Sequence, residues 1–109
     1  MTTIAKDNRV VTLINVFTVE PARQQQLIDL LVRVTEVTMR KLPGFVSANI
    51  HKSVDGTRVV NYAQWRSRED YEMMLRNPAA TTHMREAVTV GQPNPHLYEV
   101  AEVIPRQAD

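Results

Sequence analysis

The chain has no cysteine among its 109 residues. That excludes disulfide bridges, thiolate catalysis and any metal site built on Cys ligands. It has almost no surplus charge: thirteen basic residues against twelve acidic ones leave a formal charge of +1. So even a balance gives no electrostatic case for nucleic acid or for an anionic membrane as a partner. No apolar run approaches the ~20 residues that cross a bilayer. Residues Met1 to Asn8 are polar and lack the apolar core of a secretion signal, so the cytoplasm is the expected location. The three histidines, His51, His83 and His96, follow no common zinc-binding spacing, and no metal is expected. Repeats, linkers and low-complexity segments are absent as well.

What is present fits one small domain. The 43% hydrophobic content is ordinary for a soluble globular protein. Arg9 to Val19 is rich in β-branched residues and reads as a first strand. Pro21 suits the first turn of a helix. From Ala22 to Lys41, Leu27, Leu30, Leu31, Val34 and Val37 recur at helical spacing. Pro43-Gly44 ends that helix. Phe45 to Ser53 and Arg58 to Trp65 read as two strands joined by a tight turn at Val54-Asp55-Gly56. Arg68 to Arg76 is a short helix, Asn77-Pro78 interrupts it, and a second helical piece runs from about Ala79 to Val88. After a Pro-rich loop, His96 to Ile104 reads as the last strand. Residues 1–8 are expected to be a flexible N-terminus, 9–104 the domain, and 105–109 a frayed tail.

The order β-α-β-β-α-β predicts an α+β, ferredoxin-like fold: a four-stranded antiparallel sheet with helices on one face. Val60 and Tyr62 then lie on the face away from the helices, and the first strand is apolar or Thr at nearly every position. A sheet apolar on both sides needs a second layer. Another copy of the chain, sheet against sheet about a twofold axis, is its simplest source.

The segment Val59 to Tyr71 carries the most chemical information. Its strand puts Asn61 and Trp65 on one face. Ser67 can cap the following helix, with Asp70 three residues on, and this brings Tyr71 one turn into that helix. An amide and two large aromatic rings set close together suit a pocket for a flat, oxygenated ring system. Met73 and Met74 follow as adaptable wall residues. A three-residue turn at Val54 to Gly56 places His51 on the Asn61 face; a two-residue turn sends it to the opposite one.

Several strings from Arg9 to Ile104 resemble the antibiotic-biosynthesis monooxygenase family. They are Pro43-Gly44-Phe45, the Ser-x-Asp-Gly-Thr turn at Ser53 to Thr57, Val-Asn-Tyr-Ala-Gln-Trp at Val60 to Trp65, Ser67, Tyr71, and Arg85-Glu86-Ala87. Within the family they are most similar to the small cofactor-free oxygenases of aromatic polyketide pathways, which turn anthrone-type rings into quinones with O2 alone. The resemblance implies a ferredoxin-like homodimer with a shared α/β barrel and no cofactor. Its expected substrates are a small aromatic molecule and O2.

It also implies roles. Asn61 and Trp65 would stabilise the anion of the substrate, Tyr71 would relay a proton to a peroxide, and Arg85 would hold Tyr71 or a substrate oxygen. His51, Met73 and Met74 would contact the substrate. Each position also has a structural reading: Asn61 a satisfied strand amide, Trp65 and Tyr71 core aromatics, Arg85 a surface residue on a charged helix, His51 a structural histidine. Two other functions fit the same chain. Haem-degrading members of the superfamily use a strand-1 Asn, the Trp and a helix His, for which Asn15, Trp65 and His83 are placed. A non-catalytic binding or dimerisation module would keep the same residues as fold determinants.

Overall fold

The alternating strands and the amphipathic helices assemble into two layers. The computed structural model describes residues 1–108. Its elements are β1 (Val11–Thr18), α1 (Gln24–Val37), β2 (Phe45–Lys52), β3 (Arg58–Trp65), α2 (Arg68–Leu75), α3 (Pro78–Val90) and β4 (Pro95–Tyr98). Short 3-10 turns at Pro21–Arg23 and Met39–Lys41 flank α1. The strands form one open antiparallel sheet in the order β2-β3-β1-β4, the ferredoxin-like arrangement expected from the element order.

Local chemistry sets the helix boundaries. Ser67, in extended conformation, caps α2: its hydroxyl accepts from the Asp70 N–H at 3.1 Å and donates to the Asp70 carboxylate at 2.9 Å. Arg66 closes over the same carboxylate with two bonds of 2.8 and 3.0 Å. Asn77 caps α3 by accepting from the N–H groups of Ala79 and Ala80, and Pro78 occupies the first turn, where no N–H is needed. Gly44 has φ +83°, and a Cβ there would lie 2.3 Å from the Asp70 side chain. The turn into β2 therefore packs directly on the start of α2.

The β2–β3 turn differs from the three-residue form that would put His51 beside Asn61. Ser53 N–H donates to the Arg58 carbonyl, so four residues, Val54 to Thr57, make the turn. The Asp55 carboxylate holds it, accepting from Ser53 Oγ at 2.8 Å, Thr57 N at 3.0 Å and Thr57 Oγ1 at 2.7 Å. Thr57 is thereby drawn into the turn, and the register shifts by one. His51 pairs with Val60, and Ile50 with Asn61. A one-residue shift reverses every side chain, so His51 lies exposed on the opposite face.

Those hydrogen bonds, Thr57's first, lower the Asp55 pKa from its ordinary value to about 2. A depressed carboxylate stabilises the fold above its ordinary range and loses that contribution as pH falls toward about 2. Asp55→Asn is therefore expected to lower the melting temperature at pH 5. The gap to wild type should narrow between pH 4 and pH 2 in thermal unfolding.

The last strand is shorter than the expected His96 to Ile104. β4 pairs only with Thr12 to Asn15 of β1. The pairing stops one residue short of the start of β1 at Val11, and 99–104 carry no regular structure. At the other terminus, Thr2 donates to Ser47 Oγ at 2.7 Å and the Gln64 amide donates to the Thr3 carbonyl at 2.7 Å. The first residues thus lie along the sheet face away from the helices.

The core divides in two. One cluster gathers Leu13, Ala63, Trp65, Tyr71, Met74 and Ala80 under α2. The other gathers Phe17, Val19, Leu27, Leu31, Val59 and Ala87 under α1 and α3. The strand positions between them on the covered face are Asn15 in β1 and Asn61 in β3, directly paired across the strands.

Candidate active site

A cavity of about 280 Å³ lies between the sheet and the three helices at this division of the core. Its floor carries Asn15, Asn61 and Trp65, and its roof includes Tyr71 and Met74 of α2 and His83 and Met84 of α3. Pro93 and Pro95 close one side. The lining is mostly apolar with a few polar groups, as in sites that bury a small organic ligand.

The aromatic wall is built edge to face. Phe45 reaches the covered face through an irregularity in β2, where Val46 is skipped in the register. Its ring lies 5.5 Å from that of Trp65 at 88°, and the Tyr71 ring lies 6.2 Å from Trp65 at 72°. Such T-shaped contacts favour one ring placement over others. Burial raises the Tyr71 pKa above its ordinary value, so at neutral pH the hydroxyl keeps its proton and can donate it.

The polar groups of the cavity are unusual. Asn61 Oδ1, Trp65 Nε1 and His83 Nδ1 are all shielded and have no hydrogen-bond partner among the described residues. An unpaired buried polar atom costs about 1–3 kcal/mol. Among the described residues one further side-chain atom, Thr12 Oγ1, shares this condition, and it sits on the other face of the sheet. These three groups leave donors and acceptors around one cavity available to a ligand or to ordered water. Asn15 is different, because its Oδ1 accepts from the Asn94 N–H at 3.0 Å and ties the loop before β4 to the sheet.

Of the residues singled out from sequence, Asn61, Trp65, Tyr71 and Met74 line this cavity. His51 does not, for the register reason given above. Met73 does not either: Tyr71 and Met74 form the inward row of α2, and Met73 is 60% exposed. Arg85 is exposed on the outer side of α3, whose inward row runs through Ala80, His83, Met84, Ala87 and Val88. His83 falls in that row between the buried Ala80 and Ala87, a spacing visible in the sequence. Asn15 was likewise legible as the one amide in an otherwise apolar strand. Among the described residues, no three His, Asp or Glu side chains converge as metal ligands.

Residues 10–89 match the model of a family described as antibiotic biosynthesis monooxygenase. Tetracenomycin-F1 monooxygenase of Streptomyces glaucescens is 47% identical over 100 residues, covering 92% of this chain and 89% of the relative. A monooxygenase from the gene ActVA-Orf6 of Streptomyces coelicolor, solved with nanaomycin D, superposes with a TM-score of 0.77. It is 33% identical over 93% of this chain and 96% of that one. SnoaB, a cofactor-independent oxygenase from Streptomyces nogalater, shares the fold: TM-score 0.75 and 23% identity over 90% of this chain and 99% of that one. With a matched model spanning most of the sequence, and a curated relative nearly half identical over nine-tenths of it, the chain belongs to the antibiotic biosynthesis monooxygenase family.

Proposed function

We propose that the chain is a cofactor-independent monooxygenase that oxidises an anthrone-type polycyclic aromatic polyketide to a quinone with O2. The observation that carries this reading is the set of orphaned polar atoms on Asn61 and Trp65 beside an apolar, aromatic-walled cavity. The likeness to tetracenomycin-F1 monooxygenase and to the monooxygenase solved with nanaomycin D supports it.

In the proposed reaction the substrate is the reductant. Loss of a proton from the ring CH2 gives a delocalised carbanion with charge on the ring oxygen. The carbanion passes one electron to O2, and the resulting radical and superoxide combine as a peroxide anion. Protonation gives the hydroperoxide. Loss of the second C–H proton with cleavage of the O–O bond then leaves C=O and water. The protein orients the ring, stabilises the oxyanion and supplies protons in a site shielded from bulk water. Trp65 Nε1–H is a ready donor. The Asn61 carboxamide exchanges its donor and acceptor ends by a half turn, so it meets either a substrate hydroxyl or an oxyanion. Tyr71, kept protonated by burial, gives its proton to the peroxide. Met74 packs on the ring. Arg85, being on the outer side of α3, reaches this chemistry only if α3 or a second subunit rearranges around it.

We also infer that the working form is a homodimer. Ile14, Val16, Val60 and Tyr62 form a half-buried apolar strip on the face away from the helices, and a second sheet would cover it.

The test is O2 uptake by purified protein with tetracenomycin F1 and with 1,8-dihydroxyanthrone, before and after exhaustive chelation. One O2 consumed per quinone formed, at an unchanged rate after chelation, is expected. Loss of activity restored by iron or copper would overturn the cofactor-independent mechanism. The haem-degrading reading shares Asn15, Trp65 and His83 on the cavity wall. It requires a Soret band on haem titration, and none is expected.

A further inference from the structure

The deprotonation that starts this reaction needs a base, and neither Asn61, Trp65 nor protonated Tyr71 can serve. We propose that His83 is the general base, accepting the ring CH2 proton and returning it to the peroxide by way of the Tyr71 hydroxyl. This rests on the monooxygenase reading of the cavity.

Its position supports the role in three respects. His83 lines the cavity from α3, across from the Asn61 and Trp65 floor on β3. A flat ring held between the two layers therefore presents its oxygen to the sheet amide and indole while its CH2 edge can face α3. Secondly, the imidazole is semi-enclosed: its side chain is 25% exposed, and Nδ1 is buried with no hydrogen-bond partner. A structural histidine in such a place is normally tied to a carbonyl or carboxylate. Here the nearest carboxylate oxygen, Glu86 Oε1, stands 3.7 Å from Nδ1, beyond hydrogen-bond reach. Thirdly, among the described residues lining the cavity His83 is the only imidazole, and no Asp, Glu or Lys side chain that could act as a base in its place lines it.

The charged groups around it are few. On its own helix is Glu86, whose other oxygen lies 3.8 Å from Arg33 of α1. From α2 the cavity receives Tyr71 and the apolar Met74. From the sheet it receives Asn15, Asn61 and Trp65, all uncharged. A proton taken up by His83 is thus balanced by Glu86 at one side and by the substrate carbanion at the other. When Tyr71 has protonated the peroxide anion, the imidazolium can return the proton to the Tyr71 oxygen. One group can in this way both start and close the proton cycle, with Tyr71 as the donor to the peroxide.

The test compares wild type, His83→Gln and His83→Ala with 1,8-dihydroxyanthrone and tetracenomycin F1. General base catalysis is typically worth ~100-fold or more. His83→Gln is expected to lower kcat about 100-fold, while anaerobic substrate binding, read by quenching of Trp65 fluorescence, stays within about threefold of wild type. The acid limb of the pH profile of kcat/KM should disappear. Added imidazole should restore part of the His83→Ala rate, which a purely structural histidine would not allow. A His83→Gln enzyme with wild-type kcat and an intact acid limb overturns the role of His83 and leaves the monooxygenase reading standing. If wild type oxidises neither compound, the reading and this role fall together.

Discussion

Asn61→Ala is expected to lower kcat about 100-fold or more, the usual cost of removing one well-placed donor to a developing anion. Trp65→Phe should do the same by deleting the indole N–H while keeping an aromatic ring. Tyr71→Phe should cost less, because water can replace a phenol as proton donor. These losses should come with an intact fold, and the orphaned atoms explain why. In the absence of ligand, Asn61 Oδ1 is a buried acceptor without a donor, and such a group destabilises its host by about 1–3 kcal/mol. Replacing it with an apolar residue of similar size removes that burden. Asn61→Leu is therefore expected to keep or raise the melting temperature while abolishing turnover, the opposite of what a structural amide would do. Steady-state kinetics on tetracenomycin F1, with circular dichroism and thermal melts of each variant, decide the matter. If Asn61→Ala, Trp65→Phe and Tyr71→Phe all fold and all retain wild-type kcat/KM, the cavity is not the active site. The chain is then better read as a binding or dimerisation module.

Ile14→Glu is expected to make the protein monomeric where the proposed homodimer would otherwise form. Ile14 sits centrally in β1 on the face away from the helices, paired with Tyr62 of β3 and His96 of β4. It is half-buried in a single chain, so a monomer tolerates a charge there. In a twofold sheet-on-sheet interface the same substitution buries two carboxylates. An uncompensated buried charge costs several kcal/mol; at about 3 kcal/mol each, two weaken association by about 10⁴-fold. Light scattering at micromolar concentration should give a dimer for wild type and a monomer for Ile14→Glu, with unchanged far-ultraviolet circular dichroism. A wild-type monomer, or a variant that stays dimeric, would rule out this interface. Interfaces of this obligate kind bury about 2,000 Å² or more in total, so neither result should be marginal.

The sequence by itself determined the parts of this protein that depend on near neighbours in the chain. The periodicity of Leu27, Leu31 and Val34 was enough for α1, and Ser67 with Asp70 and Asn77 with Pro78 were enough for the starts of α2 and α3. The element order led to the antiparallel sheet. Alternation within β3 placed Asn61 and Trp65 together, and one helical turn added Tyr71. Tertiary structure decided what depends on register and on distant partners. The turn at Val54 to Thr57 took one residue more than expected because the Asp55 carboxylate gathers both Ser53 and Thr57, and that single residue carried His51 to the other face. β4 stopped at Tyr98, opposite Thr12 and next to the start of β1, an end that its own residues do not mark. Met73 and Arg85 turned outward because only one row of each helix faces the sheet. The pairing of Asn15 with Asn61, which splits the core in two and opens the cavity, arises only when strands 46 residues apart in sequence lie side by side. His83 acquires its place opposite them for the same reason: helix packing brings it over a gap that no local pattern in the sequence encodes.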